Sequence, residues 1–413
     1  MYRTCYIFFY EGYISLSPTI FNFSKLLDIN GYLVTIFATQ NNEIPQPEKI
    51  GSRVRIVYFP KIFSLYLFLQ RPILKSLIRI SEMLIFSLQI FSCLLPIERQ
   101  TEKSKSNINV GVDLHGLSVA LLCYYFFRQK FIFLSLELEQ PENLFRYVFK
   151  PFSKITKLAY RKSECIIVQD EDRFKTLCEY YQYQHPKVFY LPNSPINDLS
   201  PDVNTKNFFR EKFNLSQEKF PYIVLQAGMI SDNVCAKSLA HSFASIDNGC
   251  ALILHGVDAE GLREEHPYIR SLRQVNSKNL FLSLNPLPFE EVDKIYTSST
   301  IGLALYADLG DNLTKIARAS GKLGFFLKHA KPVLVSNFPS LSQLVEKYQF
   351  GIVINEPSDA QEIKVAIEKI LGSYDMYSNN SKSCFEAEFD FEKKFAPVLS
   401  YMNSFHDLEF TRS

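Results

Sequence analysis

The chain has no tryptophan in its 413 residues, and its eight cysteines form no C-x-x-C pair. That absence removes the common zinc and thioredoxin-like spacings. Cys123, Cys165 and Cys250, each flanked by apolar residues, read instead as buried thiols in a reducing compartment such as the cytoplasm. There is no G-x-G-x-x-G and no P-loop, so simple dinucleotide-binding and nucleotide-triphosphatase readings lose their signature. Charge of one sign is lacking too: 45 Lys and Arg stand against 43 Asp and Glu, a formal net charge of +2. No field of that size points to nucleic acid as a partner. The histidines are scattered and no D-x-D is placed as a sugar-diphosphate motif, so neither a metal nor a cofactor is expected. What is abundant is Phe, at 36, and Tyr, at 23, enough for large cores or an apolar outer surface.

Long uncharged runs are missing as well. The opening "MYRTCYIFFYEGY" is too short in its apolar part for a signal peptide and reads as a first strand. The most apolar region, Ser64–Pro96, is broken by Arg71, Lys75, Arg79 and Glu82, so no uncharged stretch reaches the roughly 18 residues of a spanning helix. It reads either as a helix in a domain core or as a surface that lies on a membrane as a peripheral contact.

Strand-like and helix-like segments alternate along the chain. "CYIFFY", "YLVTIFAT", "VRIVYFP", "INVGVDLHG", "FIFLSLELE", "CIIVQDE" and "KVFYLPNSP" form a first set, with "TIFNFSKLLDING" an amphipathic helix stopped at Gly31. A second set runs through "YIVLQAG", "ALILHG", "LFLSL", "IGLALY", "PVLVSN" and "GIVIN". Such alternation predicts an α/β chain of two doubly wound parallel sheets. The Pro-, Asn-, Asp- and Ser-rich stretch that begins at Leu191 sets the boundary. The expected domains are 1–192, a linker 193–204, a second domain 205–380 and a C-terminal helical segment 381–413. Ligands then bind in a cleft between the halves, outside the C-terminal ends of the strands.

The stretch "SGKLGFFLKHAKPVLVSNFP", Ser320–Pro339, carries the sharpest local signal. Ser320 suits an N-cap, Gly321 leaves the backbone open, and the free N–H groups of the first turn favour an anion. Lys322 adds a mobile positive charge suited to phosphate. The same residues also read as an ordinary capped helix with a solvated lysine. Gly324, unfavourable by about 1 kcal/mol inside a helix, implies that something needs room beside it.

These segments, in this order and over most of the chain, resemble a glycosyltransferase of the GT-B fold, closest to the family 4 type of nucleotide-sugar enzymes. "YEGYISLSPTIFNF" resembles the first strand's loop and helix, "NVGVDLHGLSVALL" the strand that ends in D-x-H, and "PYIVLQAGMIS" the glycine loop under a diphosphate. The resemblance implies two facing Rossmann-like domains. It implies transfer of a hexose from a nucleotide-sugar donor to a polysaccharide or lipid-linked saccharide acceptor, without a metal. By position it places Gly12 in the flexible first loop, His115 near the transferred sugar, Gly228 under the diphosphate and Lys322 on a phosphate. Asp311 and Asn312 are placed toward the sugar hydroxyls. Gly12 and His115 also read as an ordinary turn glycine and a structural histidine, and Asp311–Asn312 as a plain turn.

Three positions depart from the pattern. Two acids eight residues apart are replaced by Ala317 and Phe325, and an arginine after the first strand of the second half is replaced by Met229. A GT-B-like protein that has lost catalysis and binds a partner is therefore a second expectation, and another GT-B enzyme such as an epimerase a third. Glu137 and Glu139 are placed by strand alternation on one face at the cleft. Glu137 is there the candidate general base of an inverting transfer; solvated loop acids are the alternative.

Overall fold

The computed structural model describes residues 3–40, 46–47, 49–61, 72–100, 107–140, 150–197, 207–246, 248–256 and 263–410. Ser64–Arg71, the first part of the apolar region, and 198–204 of the expected linker lie outside them.

The N-terminal half is built on seven strands: β1 (Arg3–Phe9), β2 (Tyr32–Thr39), β3 (Val54–Phe59), β4 (Ile108–Val112), β5 (Lys130–Leu134), β6 (Ile166–Val168) and β7 (Val188–Tyr190). Their order is β3-β2-β1-β4-β5-β6-β7, and every neighbouring pair is parallel. The C-terminal half has six: β8 (Tyr222–Gly228), β9 (Cys250–Gly256), β10 (Leu280–Ser283), β11 (Ile301–Ala304), β12 (Val333–Ser336) and β13 (Gly351–Ile354). They run β10-β9-β8-β11-β12-β13, again all parallel. Both orders reverse direction once, between β1 and β4 and between β8 and β11, and a crevice opens at such a switch point. The expected α/β class with two doubly wound sheets is what the chain forms.

The strands read as apolar runs because helices cover both sheet faces. β4 and β9 are buried at every residue. Five helices matter for the N-terminal half: α1 (Pro18–Ile29), α2 (Pro72–Gln100), α3 (Asp113–Phe127), α4 (Lys150–Lys162) and α5 (Glu171–Tyr181). Within α2, Leu77–Ile97 is long and apolar enough to cross a membrane by length and composition, with Arg79 and Glu82 inside it. Ile80, Met83, Phe86, Ile90 and Leu94 bury one face of it. In the C-terminal half, α6 (Gly321–Lys328) follows the cap residue Ser320. The last helix, α7 (Phe391–Phe410), leaves the C-terminal half and packs on α1, with Phe395 edge-on to Phe23 at 5.0 Å.

Candidate functional site

The candidate residues lie at or after the C-terminal ends of β1, β4 and β5 in one half and of β8 and β11 in the other. After β1 the chain turns at Gly12, whose φ is +75°. A Cβ there would lie 1.9 Å from the Thr39 carbonyl oxygen, so the turn needs glycine for space as well as for conformation. Gly12→Ala is expected to lower stability by about 2 kcal/mol, read from urea unfolding of the full chain.

D-x-H opens a helix, where the sequence suggested a strand running into a loop: β4 stops at Val112 and α3 begins at Asp113. Asp113 itself has φ +50°, a strained position for a non-glycine residue. Its carboxylate Oδ1 accepts from the N–H groups of Leu136 (2.7 Å) and Glu137 (3.0 Å), which ties the loop after β5 to the start of α3. β5 ends at Leu134, so the alternation expected to align Glu137 with Glu139 does not extend to them. The Asp113 latch places Glu137 at the cleft wall. Gly116 completes the motif, since a Cβ there would meet the Phe8 carbonyl oxygen at 2.1 Å.

His115 is buried, stacked on Tyr10 with ring centroids 4.2 Å apart. Its Nδ1 has no hydrogen-bond partner and lies 3.8 Å from Glu11 Oε1. Burial, helped by the charges of Arg79 and Lys61, pushes the imidazole pKa down to about 3, so the ring is neutral. Burial and the nearby Glu139 push Glu11 up to about 8. Loss of water raises Asp113, Glu137 and Glu139 as well. Glu11 is therefore protonated near neutral pH.

The sign of the pH effect on folding follows. Glu11 binds its proton more tightly folded than unfolded. Its contribution is present below the unfolded value of 4.5 and lost as pH rises toward about 8. Thermal melts between pH 5 and 8 are expected to fall with pH, and less steeply in Glu11→Gln.

Across the cleft, Ser320 caps α6: its Oγ accepts from Leu323 N–H at 3.2 Å and lies 2.5 Å from the Tyr306 hydroxyl. Gly321 faces the other half, with Pro18 and Asn193 each 3.4 Å from where its Cβ would be. The room beside Gly324 is taken by Ser194 and Pro195, whose atoms lie 3.0–3.3 Å from a Cβ at that position. Lys322 is half-buried with its ammonium 4.6 Å from the centre of the Tyr306 ring. With the Gln226 amide donating to the Leu303 carbonyl (2.9 Å), its oxygen accepts from Lys322 Nζ. Enclosure pushes the Lys322 pKa down to about 7. Gly228, at the end of β8, has φ +97° and open space where a Cβ would be. Met229 beside it is exposed.

The two positions where the pattern carries acids lie inside the fold. Ala317 is fully buried. Phe325 stacks on Tyr296 (4.8 Å) and meets Phe289 edge-on (6.1 Å), and Phe289 in turn touches Phe21 of the N-terminal half at 4.1 Å. An aromatic column thus replaces one carboxylate and links the halves.

Asp311 and Asn312 are engaged across the cleft. Asp311 accepts from the Tyr180 hydroxyl (2.5 Å) and pairs with Lys315 (3.0 Å), and these partners hold its pKa below the usual carboxylate range. Asn312 Oδ1 accepts from Leu138 N–H (2.6 Å) and from Arg173 (3.2 Å). Arg173, which sequence reasoning passed over, is 1% exposed and also donates to the Leu136 carbonyl at 2.8 Å. Between the halves lies a pocket of about 120 Å³ lined by Glu137, Gln169, Arg173, Asn193 and Asn312 among others. It unites Glu137 and Asn312; Gly12, His115, Gly228, Ser320, Gly321 and Lys322 are not on its wall. Gln169 Oε1 and Arg173 Nε are buried without hydrogen-bond partners. A hydroxyl can serve both, because it donates and accepts. Among the described residues no group of three or more His, Cys, Asp or Glu is arranged to hold a metal ion.

Two parallel sheets with a switch point in each define the architecture, and solved structures share that fold over the full length. A sucrose-phosphate synthase from Thermosynechococcus elongatus superposes with a TM-score of 0.68 at 14% identity, covering 100% of both chains. The chain has the GT-B fold. An α,α-trehalose 6-phosphate synthase from Burkholderia multivorans matches this GT-B chain with a TM-score of 0.67 at 9% identity, over 100% of this chain and 98% of its own. HepE of Anabaena, solved in complex with UDP, matches with a TM-score of 0.62 at 12% identity, over 97% of this chain and 100% of its own. No protein-family model matches the sequence, and no curated protein matches it significantly.

Proposed function

We propose that this GT-B chain is a glycosyltransferase that moves a hexose from a nucleotide sugar to a saccharide acceptor used in polysaccharide or lipid-linked saccharide synthesis. The observation that carries the reading is Lys322. It stands at the N-terminus of α6 with its ammonium against Tyr306 and Gln226, at the ends of β11 and β8. A leaving diphosphate there meets a cation, free backbone N–H groups and a helix dipole, which take over the task of a metal ion. Gly228 leaves the backbone open for it. The order of motifs is closest to the family 4 type, with Ala317, Phe325 and Met229 as departures.

On the other wall, the oxocarbenium-like charge that develops at the sugar C1 meets the carboxyl groups of Glu11 and Glu137. Glu137, at the pocket, is our candidate for the base that accepts the acceptor's proton. His115 is neutral and shapes the sugar side. The acid lining suits an uncharged, hydroxyl-rich acceptor better than a phosphorylated one. Neighbours of this fold include a Burkholderia xenovorans synthase solved with glucose-6-phosphate, whereas in the present chain the pocket wall carries the Glu137 carboxyl group. Eight free cysteines fit work in a reducing cytoplasm.

The test is product analysis. The chain is incubated with single sugar nucleotides and oligosaccharide acceptors, and mass spectrometry looks for a new glycoside together with the free nucleoside diphosphate. Diphosphate release without a glycoside identifies a hydrolase or epimerase-like enzyme and overturns the transfer reading. A second reading, a binding protein that has lost catalysis, is favoured by the buried Phe325 and Ala317. It predicts ligand binding without turnover.

A further inference from the structure

The outer face of the N-terminal half carries a surface that sugar transfer does not use. On α2, Leu77 (44% exposed), Leu84 and Leu88 (67%) lie along one stripe beside the buried face. That stripe borders α3 and α4. Ile80 and Met83 pack with Phe152 of α4, Met83 accepts a hydrogen bond from Ser118 of α3 at 3.3 Å, and Phe91 meets Phe126 at 5.2 Å. α3 adds exposed Tyr125 and Phe126 (67%), and α4 adds Ile155 and Leu158. Three helices thus put large apolar side chains into water on one side of the sheet.

Among the described side chains of these three helices, the exposed charge has one sign. α4 reads KPFSKITKLAYRK, with no acid, and Lys154, Arg161 and Lys162 are exposed beside Ile155 and Leu158. Arg128 is exposed at the end of α3. Among the residues of α2, α3 and α4 whose side chains are described, the acids are Glu82 and Asp113, and both are buried. The exposed acids Glu171, Asp172 and Glu179 belong to α5, which stacks on α4 through Tyr181 and Tyr160. An apolar stripe on helices whose described exposed charges are all cations is complementary to a surface with an oily interior and anionic heads. A protein partner would more usually be met by a mixed polar rim.

We propose that α2, α3 and α4 together form a docking face for an anionic lipid bilayer. Leu84, Leu88 and Phe126 enter the interface, and Arg128, Lys154 and Lys162 lie at the headgroups. The face extends beyond the single apolar segment that the sequence marks, and the reading stands whether or not the cleft transfers sugar.

Co-sedimentation of the full chain with phosphatidylglycerol–phosphatidylcholine vesicles, against pure phosphatidylcholine vesicles, tests it. Binding is expected to the anionic vesicles only, and to weaken with salt. The triple variant Arg128→Gln/Lys154→Gln/Lys162→Gln is expected to lower the affinity roughly 100-fold. Leu88→Ser/Phe126→Ser is expected to lower it by at least 10-fold, with unchanged melting temperature in both. No binding to anionic vesicles at low salt overturns the proposal. So does binding that neither variant weakens, or a dimer in solution that Leu88→Ser/Phe126→Ser dissolves without lipid.

Discussion

Lys322→Ala is expected to weaken nucleoside diphosphate binding by about 2–3 kcal/mol, the range for hydrogen bonds that involve a charged group. That is a loss of roughly 30- to 150-fold. The fold should survive, because the ammonium is held by one aromatic face and one amide and carries no buried ion pair. The free enzyme also dictates how this affinity varies with pH. Without ligand, Lys322 titrates at about 7. A diphosphate beside it favours the charged form and raises that value, so binding above pH 7 takes up a proton. Affinity is then flat below about pH 7 and falls as pH rises beyond it. Calorimetry in buffers of different ionisation enthalpy reads the proton uptake directly. Lys322→Ala should remove both the slope and the uptake.

Arg173→Met carries the largest expected effect on stability, about 3–5 kcal/mol, as for one partner removed from a buried ionic network. Arg173 is closed off from water and faces Glu137, Asp170, Asp113 and Asp311, whose charges oppose the loss of its own. It also bridges the halves through Leu136 on one side and Asn312 on the other. Methionine keeps the stem's packing and leaves the acids without their cation. Urea unfolding should move to lower denaturant, with the cleft opening first. Small-angle scattering is expected to show a larger radius of gyration before secondary structure is lost.

The parts of this molecule that sequence reasoning reached are those set by local chemistry. Parallel strands buried on both faces appear as short apolar runs, so each of the thirteen strands among the described residues overlaps a segment marked from the sequence, with β1, β5 and β9 beginning one or two residues earlier. Ser320 caps its helix because a hydroxyl before a first turn has an N–H to accept from. The room implied by Gly324 is real, though that Ser194 and Pro195 fill it was not legible. What stayed hidden depends on pairs far apart in the chain. Arg173 and Asn312 are 139 residues apart, and nothing around either one names the other. Asp311 meets Tyr180 for the same reason. Asp113 stood in plain view as the first letter of D-x-H. Its role in setting the loop of Glu137 needs a left-handed backbone that no residue pattern announces. Glu11, beside the glycine that drew attention, acquires its raised pKa only when the ends of β1, β4 and β5 converge.

Everything proposed for the cleft rests on nucleoside diphosphate binding through Lys322. The most direct measurement is the melting temperature of wild-type chain and Lys322→Ala across a concentration series of UDP, GDP, ADP and their sugar forms. A ligand that binds only the folded chain raises its melting temperature by mass action. A rise with at least one of them is expected, growing with concentration in the wild type and largely lost in the variant. No rise with any of them, or an equal rise in both chains, would contradict it.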